Sequence, residues 1–461
     1  MKNIILNTDS YKSSHFLQYP AKSQFVSSYI EARGGEMKRV LFFGLQAFIK
    51  AYLLTPITQD NIDEAEAIIT AHGLPFNREG WEYILQAHKG YLPLEISALA
   101  EGMVVPLQTP LVQVVNTDPK CYWLTSYIET ALLRAVWYPT TVASLSYSIK
   151  QSIQSYLDAT SEDTNASFKL HDFGSRGASS DESAMLGGMA HLINFQGTDT
   201  LTAIVGTKRY YNADMAGFSI PASEHSTMTS WGRESEEDAY SNMIERFGGE
   251  GKIFAVVSDS YDIYNAVSHI WGEKLQDKLK ESKATLVIRP DSGNPQKVVL
   301  EVMRRVYEKF GGTINSKGYK VLDSSVRIIQ GDGVNANSIV EILEILKCNG
   351  FASENIAFGM GGALLQKPNR DTLSFAMKAS AICVDGEWRD VYKDPITDSG
   401  KRSKRGRLAV TEELETLRLE ELGDETNLLK PIYRNGKLLQ ELDFETIREN
   451  VLGVTVSHKG V

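Results

Sequence analysis

Between about residue 167 and residue 362 one local grammar recurs: a short apolar run stops at a polar or glycine-rich cluster, and an amphipathic segment follows. The stretch Leu286-Val287-Ile288-Arg289-Pro290-Asp291-Ser292-Gly293-Asn294-Pro295 shows it best. Asn294 is a good helix N-cap, Pro295 suits the first helical position, and Val299, Val302, Met303 and Val306 share one helical face. Six more endings fall at His171-Asp172-Phe173-Gly174-Ser175-Arg176, Gly197-Thr198-Asp199, Ala222-Ser223-Glu224-His225, Ser258-Asp259-Ser260-Tyr261-Asp262, Gly331-Asp332-Gly333 and Gly359-Met360-Gly361-Gly362. The runs 254–257, 286–288 and 326–329 are nearly continuously apolar, as parallel strands covered on both faces are. Spacings of roughly 25 to 45 residues suit βα units, so an α/β barrel or doubly wound sheet is predicted, with its chemistry at the strand carboxyl ends.

The flanks lack this grammar. Residues 26–30 read as a strand leading to Arg33-Gly34-Gly35, helices follow around 42–53 and 60–71, and 92–116 alternates in short β-like runs. Two helices, 122–135 and 141–157, are expected on either side of Tyr138-Pro139, and the polar run 161–165 marks a boundary. After residue 384 come the basic run 401–407, an acidic stretch at 412–425, an Asn435-Gly436 hairpin signal and a short helix near 444–451. The basic run reads as a solvated loop or one that closes over phosphates. The expected division is 1–160 as part of a mixed α+β domain, 161–384 as an α/β barrel, and 385–461 packing with the amino-terminal part, since neither flank alone is large enough for a good core.

A net charge of -10 repels nucleic acid and anionic membrane, so an anionic ligand needs a focused cluster of cations. No 18-residue apolar run occurs, the first apolar run is too short for a signal peptide, and Cys121, Cys348 and Cys383 show neither C-x-x-C nor zinc spacing. A cytoplasmic protein with reduced core thiols, and neither nucleic-acid nor membrane partners, is expected. Walker A, G-x-S-x-G and H-E-x-x-H motifs are absent. A sugar-phosphate site remains: Gly331, Gly333, Gly361 and Gly362 would open backbone N–H groups to phosphate, with Arg176, Arg289, Arg370 and Lys378 as cations. Asp259, Asp291 and Asp332 could bind ribose, share magnesium with a diphosphate, or cap helices. His225 reads either as a core histidine or as a reactive one, and Phe173 as a core aromatic.

Taken together, Asp9-Ser10-Tyr11-Lys12, Lys169-Leu170-His171-Asp172-Phe173-Gly174, Phe195-Gln196-Gly197-Thr198-Asp199-Thr200, Ala222-Ser223-Glu224-His225-Ser226-Thr227, Ser258-Asp259-Ser260-Tyr261-Asp262, Gln330-Gly331-Asp332-Gly333 and Leu364-Leu365-Gln366-Lys367 resemble the nicotinamide phosphoribosyltransferases of the type II, nicotinate phosphoribosyltransferase-like family. The resemblance runs nearly end to end. It implies an irregular TIM-like α/β barrel beside a mixed α+β domain, and transfer of phosphoribosyl from phosphoribosyl pyrophosphate to nicotinamide in a homodimer with sites at the subunit interface. By the same resemblance Tyr11 and Phe173, from different subunits, sandwich the pyridine ring and Asp199 meets its carboxamide. Arg176, His225 and Arg289 hold diphosphate or phosphate, and Asp291, Gly331, Asp332, Gly362 and Arg370 hold the nucleotide. Arg33, Gly361 and Lys378 complete the substrate-binding set, with His225, Asp291 and Arg289 catalytic and Asp259 a magnesium ligand. ATP is implied as an activating co-substrate that phosphorylates His225. Ser175, Met360 and Ala363 depart from the family pattern, which bears on loop shape rather than on the reaction. Nicotinate transfer is the nearest alternative, and an extracellular signalling role is the alternative of another class.

Overall fold

The repeated grammar folds into an irregular parallel barrel. In this computed structural model, which describes residues 3–394 and 403–453, the chain forms two compact units. One comprises Leu145–Val205 and Met215–Lys367; the other comprises Met1–Ser144, Gly206–Asp214 and Pro368–Val461.

In the first unit six parallel strands follow the order Gly197–Thr198, Leu170–Asp172, Ile356–Met360, Val326–Gln330, Thr285–Arg289, Ile253–Val257. The gap between the two edge strands is filled by residues 218–223, which form only isolated bridges, Phe218 with Gly197 and Ala222 with Ala255. Its hydrogen bonds change sides part-way. The Phe218 N–H donates to the Gln196 carbonyl at 2.7 Å, whereas the Pro221 carbonyl accepts from the Ala255 N–H at 2.8 Å. The expected strand ending at residues 222–225 is therefore a seventh, irregular stave, because Pro221 has no N–H to give a regular ladder. Ala255, Val287 and Ile329 form a buried layer, with Phe173, Ile220 and Ala357 packed against it. Helices such as Pro295–Phe310, which buries Val299, Val302, Met303 and Val306, and Ala336–Cys348, which buries Ile339, Ile342, Leu343 and Leu346, cover the strands.

In the second unit a seven-stranded sheet runs Glu387–Asp390, Phe375–Val384, Ser23–Ala32, Val112–Asn116, Leu94–Ala98, Lys430–Arg434, Lys437–Leu438. Residues 375–384 thus pair antiparallel with Ser23–Ala32 instead of extending the barrel. The strand Lys430–Arg434 pairs with Leu94–Ala98, and Asn435 and Gly436 take φ of 49° and 83° in the expected hairpin turn.

Four expectations are corrected. The helices predicted on either side of Pro139 are one helix, Glu129–Thr160, with Pro139 inside it, preceded by the short Leu124–Tyr127. Packing overrides the breaker: Gly44, at φ 107°, lies so close that a Cβ there would meet the Pro139 ring at 2.3 Å, and Thr140 Oγ1 donates to the Phe43 carbonyl at 3.0 Å. The unit boundary falls inside this helix, between Ser144 and Leu145, ahead of the polar run at 161–165. Of the three free thiols Cys121 and Cys383 are buried, but Cys348 is exposed at the last turn of its helix. Lys401 and Arg402 of the basic run lie outside the described residues. The rest of that run is tied down rather than solvated: Lys404 pairs with Glu31, Arg405 stacks on Tyr392 and Arg407 pairs with Glu420.

Candidate active site

Three strand-end acids could have been spent as helix caps, and none is. Asp262 caps the helix after the Ile253–Val257 strand, Asn294 caps Pro295–Phe310 and Asn335 caps Ala336–Cys348, each accepting from N–H groups of the first turn. Each cap stands three residues after Asp259, Asp291 or Asp332. The downstream residue starts the helix and leaves the acid available at the strand end.

Two of these acids, Asp259 and Asp291, flank His225, the first residue of the helix His225–Thr229. Its Nε2 lies 3.0 Å from Asp259 Oδ1 and its Nδ1 3.8 Å from Asp291 Oδ2. The Asp259 side chain is 3% exposed, and both its oxygens are engaged: Oδ2 accepts from the Asp291 N–H at 3.0 Å and from the Ser292 hydroxyl. Asp259, expected as a ribose contact, a magnesium ligand or a helix cap, is in the structure the partner of an imidazole. Arg289 places Nη2 3.5 Å from Asp291 Oδ2, and its Nε is buried with no partner among the described residues. Burial pushes the Asp291 carboxyl above its ordinary value, Arg289 pulling against this and Asp259 adding to it.

Phe173 spans the neighbouring strand ends. A Cβ on Gly359 would meet its ring at 2.0 Å and one on Gly331 at 3.3 Å, and the same point above Gly331 is 3.8 Å from Asp291 Oδ1. Phe173, Gly331 and Asp291 therefore line one continuous surface. The Phe173 N–H donates to the Met360 carbonyl at 3.0 Å, and Met360 is buried. Arg176 is exposed on the turn Ser175–Gly177, where Gly177 approaches Gly362; Gly361 precedes the short helix Gly362–Leu365. Asp199 is exposed, donates its N–H to the Asp172 carbonyl at 3.0 Å and accepts from the Ser219 hydroxyl. Asp332 is exposed at the next strand end.

The other four predicted site residues belong to the second unit. Tyr11, 57% exposed, projects from Ser10–Leu17 beside Lys12, whose buried ammonium pairs with Glu129 at 2.6 Å. Asp9, at the N-cap position of this segment, makes no cap bond and accepts instead from Thr130 at 2.7 Å. Arg33 donates from Nε to the Ser374 carbonyl, and Arg370 sits on the exposed turn Arg370–Thr372. Lys378 is half-buried, and burial holds its ammonium below the ordinary value; Glu129 opposes this, and Arg33, Lys393 and Arg370 reinforce it. These cations form a focused positive cluster on a chain of net charge -10.

The sequence profile of the nicotinate phosphoribosyltransferase (NAPRTase) family matches residues 168–437, and that of the nicotinamide phosphoribosyltransferase N-terminal domain matches residues 3–96. The chain belongs to the nicotinate phosphoribosyltransferase family. It is 51% identical, over 97% of this chain and 98% of the other, to nicotinamide phosphoribosyltransferase of Xanthomonas campestris pv. campestris (strain 8004). It is 33% identical to the enzyme of that name from Acinetobacter baylyi, over 96% of each chain. The crystal structure of nicotinate-nucleotide pyrophosphorylase from Pyrococcus furiosus shares the fold, with a TM-score of 0.61 at 17% identity, covering 98% of this chain and 95% of that one. The predicted type II barrel with its mixed companion domain is the fold of this family member.

Three residues of the site are given no role by the motifs, although Gly359 and Ser292 stand within quoted strand endings. Gly359 lies inside a strand and is needed because the Phe173 ring occupies the place of its Cβ; glycine within an apolar run is the available signal. Ser292 and Ser219 hold the two carboxylates Asp259 and Asp199, and no motif gives either serine that role.

Proposed function

We propose that this chain transfers the phosphoribosyl group of phosphoribosyl pyrophosphate to nicotinamide, giving nicotinamide mononucleotide and pyrophosphate in NAD salvage. The observation that carries the choice of substrate is Asp199, an exposed carboxylate held one hydrogen bond from the residue before Phe173. A carboxylate there accepts from the NH2 of a carboxamide and repels the carboxylate of nicotinate.

The pyridine nitrogen already has its lone pair, so no general base is required. It attacks the anomeric carbon as the bond to the pyrophosphate oxygen breaks, and pyrophosphate leaves with that electron pair. Phe173 stacks the ring, and Tyr11 of the partner subunit in a homodimer covers its other face, which suits a ring that becomes cationic. Arg176 and Arg289 hold the phosphates, and the uncommitted buried Nε of Arg289 provides a donor for them. Gly331, Gly361 and Gly362 give their backbone to the nucleotide, and the Arg33, Arg370 and Lys378 cluster adds charge. Magnesium, when bound, neutralises charge on the departing pyrophosphate; Asp291 and Asp332, as hard oxygen donors on a shared rim, would hold it, since Asp259 is committed to His225.

With Nε2 of His225 tied to Asp259, Nδ1 is the nitrogen left to accept the terminal phosphoryl group of ATP, ADP leaving with the electrons of the broken P–O bond. The phosphohistidine would strengthen phosphoribosyl pyrophosphate binding in a cytoplasmic homodimer. Turnover with nicotinamide, nicotinate and quinolinate, each with phosphoribosyl pyrophosphate and magnesium, with and without ATP, tests the reading. Nicotinamide should be preferred and ATP should stimulate; preference for either acid would sink it.

A further inference from the structure

We propose that Ser219 sets the substrate preference of this site by orienting Asp199, an inference that rests on Asp199 facing the carboxamide as proposed above. Ser219 lies on the irregular stave, where two backbone bonds fasten its predecessor to the strand that ends at Asp199. The Phe218 N–H donates to the Gln196 carbonyl at 2.7 Å, and the Phe218 carbonyl accepts from the Thr198 N–H at 3.0 Å. Ser219 Oγ then donates to Asp199 Oδ1 at 2.5 Å.

An exposed aspartate otherwise turns freely about its side-chain torsions and offers either oxygen in many directions. Tying Oδ1 to a fixed hydroxyl while the Asp199 N–H is bonded to the Asp172 carbonyl limits both side chain and backbone. One oxygen, Oδ2, remains as the acceptor in a set plane, the arrangement a single planar amide requires. The same bond occupies the Ser219 hydroxyl, which, if released, could donate to the carboxylate of nicotinate. Ser219 therefore favours the amide twice, by presenting an acceptor and by withholding a donor. It acts through Asp199 and is a positioning residue. The backbone ladder of the stave passes from one neighbouring strand to the other around Ser219.

The test uses full-length Ser219→Ala, Ser219→Thr and Asp199→Asn, with kcat/KM measured for nicotinamide and nicotinate, KM for phosphoribosyl pyrophosphate, and thermal melting. Ser219→Ala should lower the nicotinamide-to-nicotinate ratio about five- to tenfold, chiefly through KM for nicotinamide, the scale of losing one hydrogen bond of ordinary net strength. Its KM for phosphoribosyl pyrophosphate should stay within about twofold of wild type, and Ser219→Thr, which keeps the hydroxyl, should keep the ratio. A ratio unmoved in Ser219→Ala while Asp199→Asn shifts it overturns the role of Ser219 alone. A ratio unmoved in both removes Asp199 as selector and Ser219 with it. A loss shared equally by both substrates and phosphoribosyl pyrophosphate, or not rescued by threonine, marks a structural effect and also overturns the proposal.

Discussion

At the barrel rim each charged group reaches its place within a few residues of its own strand, as Arg289 and Asp291 do after Thr285–Arg289. In the mixed sheet, Arg33 and the Arg370 and Lys378 segment are assembled by antiparallel pairing, Arg33 bonding a carbonyl 341 residues away. The rim groups are also fixed by one another, through Asp259, His225 and the two serines, whereas the cations of the sheet repel one another and are held by backbone register. The rim is thus built as a rigid template and the sheet as a stored positive charge that an anion would relax. Local encoding gives positions that can be broken one at a time; register-encoded positions share their fate with the strands that carry them.

The largest expected effect tests the template. Gly359→Val places side-chain atoms where the Phe173 ring lies, since a Cβ alone would come within 2.0 Å of it. The ring must move by an ångström or more, and kcat/KM for nicotinamide should fall about a hundredfold. Overpacking should destabilise the protein by roughly 1–3 kcal/mol, which a melting curve would register. A loss smaller than about tenfold would mean that the position of the ring is not limiting.

Asp259→Asn sharpens the contrast between a residue that orients and one that binds metal. The buried carboxylate would no longer supply charge to His225, and stimulation by ATP should drop about tenfold. If Asp259 instead holds magnesium, the variant will shift the magnesium concentration for half-maximal activity and spare the ATP ratio.

How much of this was legible follows the same division. The helix Pro295–Phe310 starts at the predicted cap and buries the predicted face, and the strand endings line the barrel, because cap, breaker and periodicity are all local signals. The spacing of Asp259 to Asp262, Asp291 to Asn294 and Asp332 to Asn335 carried a further message, that the second residue caps and the first is spared, visible only as a repeat. Pro139 misled because its tolerance depends on Gly44, nearly a hundred residues earlier in the chain, and pairing of residues 375–384 with Ser23–Ala32 depends on a register no window contains. The clustering of Arg33, Arg370 and Lys378 was therefore inaccessible to local pattern, although each cation could be named.

A smaller effect probes the stored charge. Burial lowers the Lys378 ammonium below its ordinary value of 10.5, so its charge is present on the acid side of that lowered value and is lost as pH rises through it. Binding of phosphoribosyl pyrophosphate should weaken on that alkaline limb by a few-fold, and Lys378→Arg, which stays charged, should move the limb to higher pH. An unchanged profile would place Lys378 outside the binding surface.

The central claim, that this family member transfers phosphoribosyl to the amide rather than to the acid, is tested most directly by the ratio of kcat/KM for nicotinamide to that for nicotinate in wild type and Asp199→Asn. Lost hydrogen bond and added charge repulsion act together, so wild type should favour nicotinamide by more than roughly a hundredfold. Asp199→Asn, whose amide can donate to a carboxylate, should weaken nicotinamide use and admit nicotinate. A wild type that prefers nicotinate would contradict the account, and a variant whose ratio equals that of wild type would contradict the role given to Asp199.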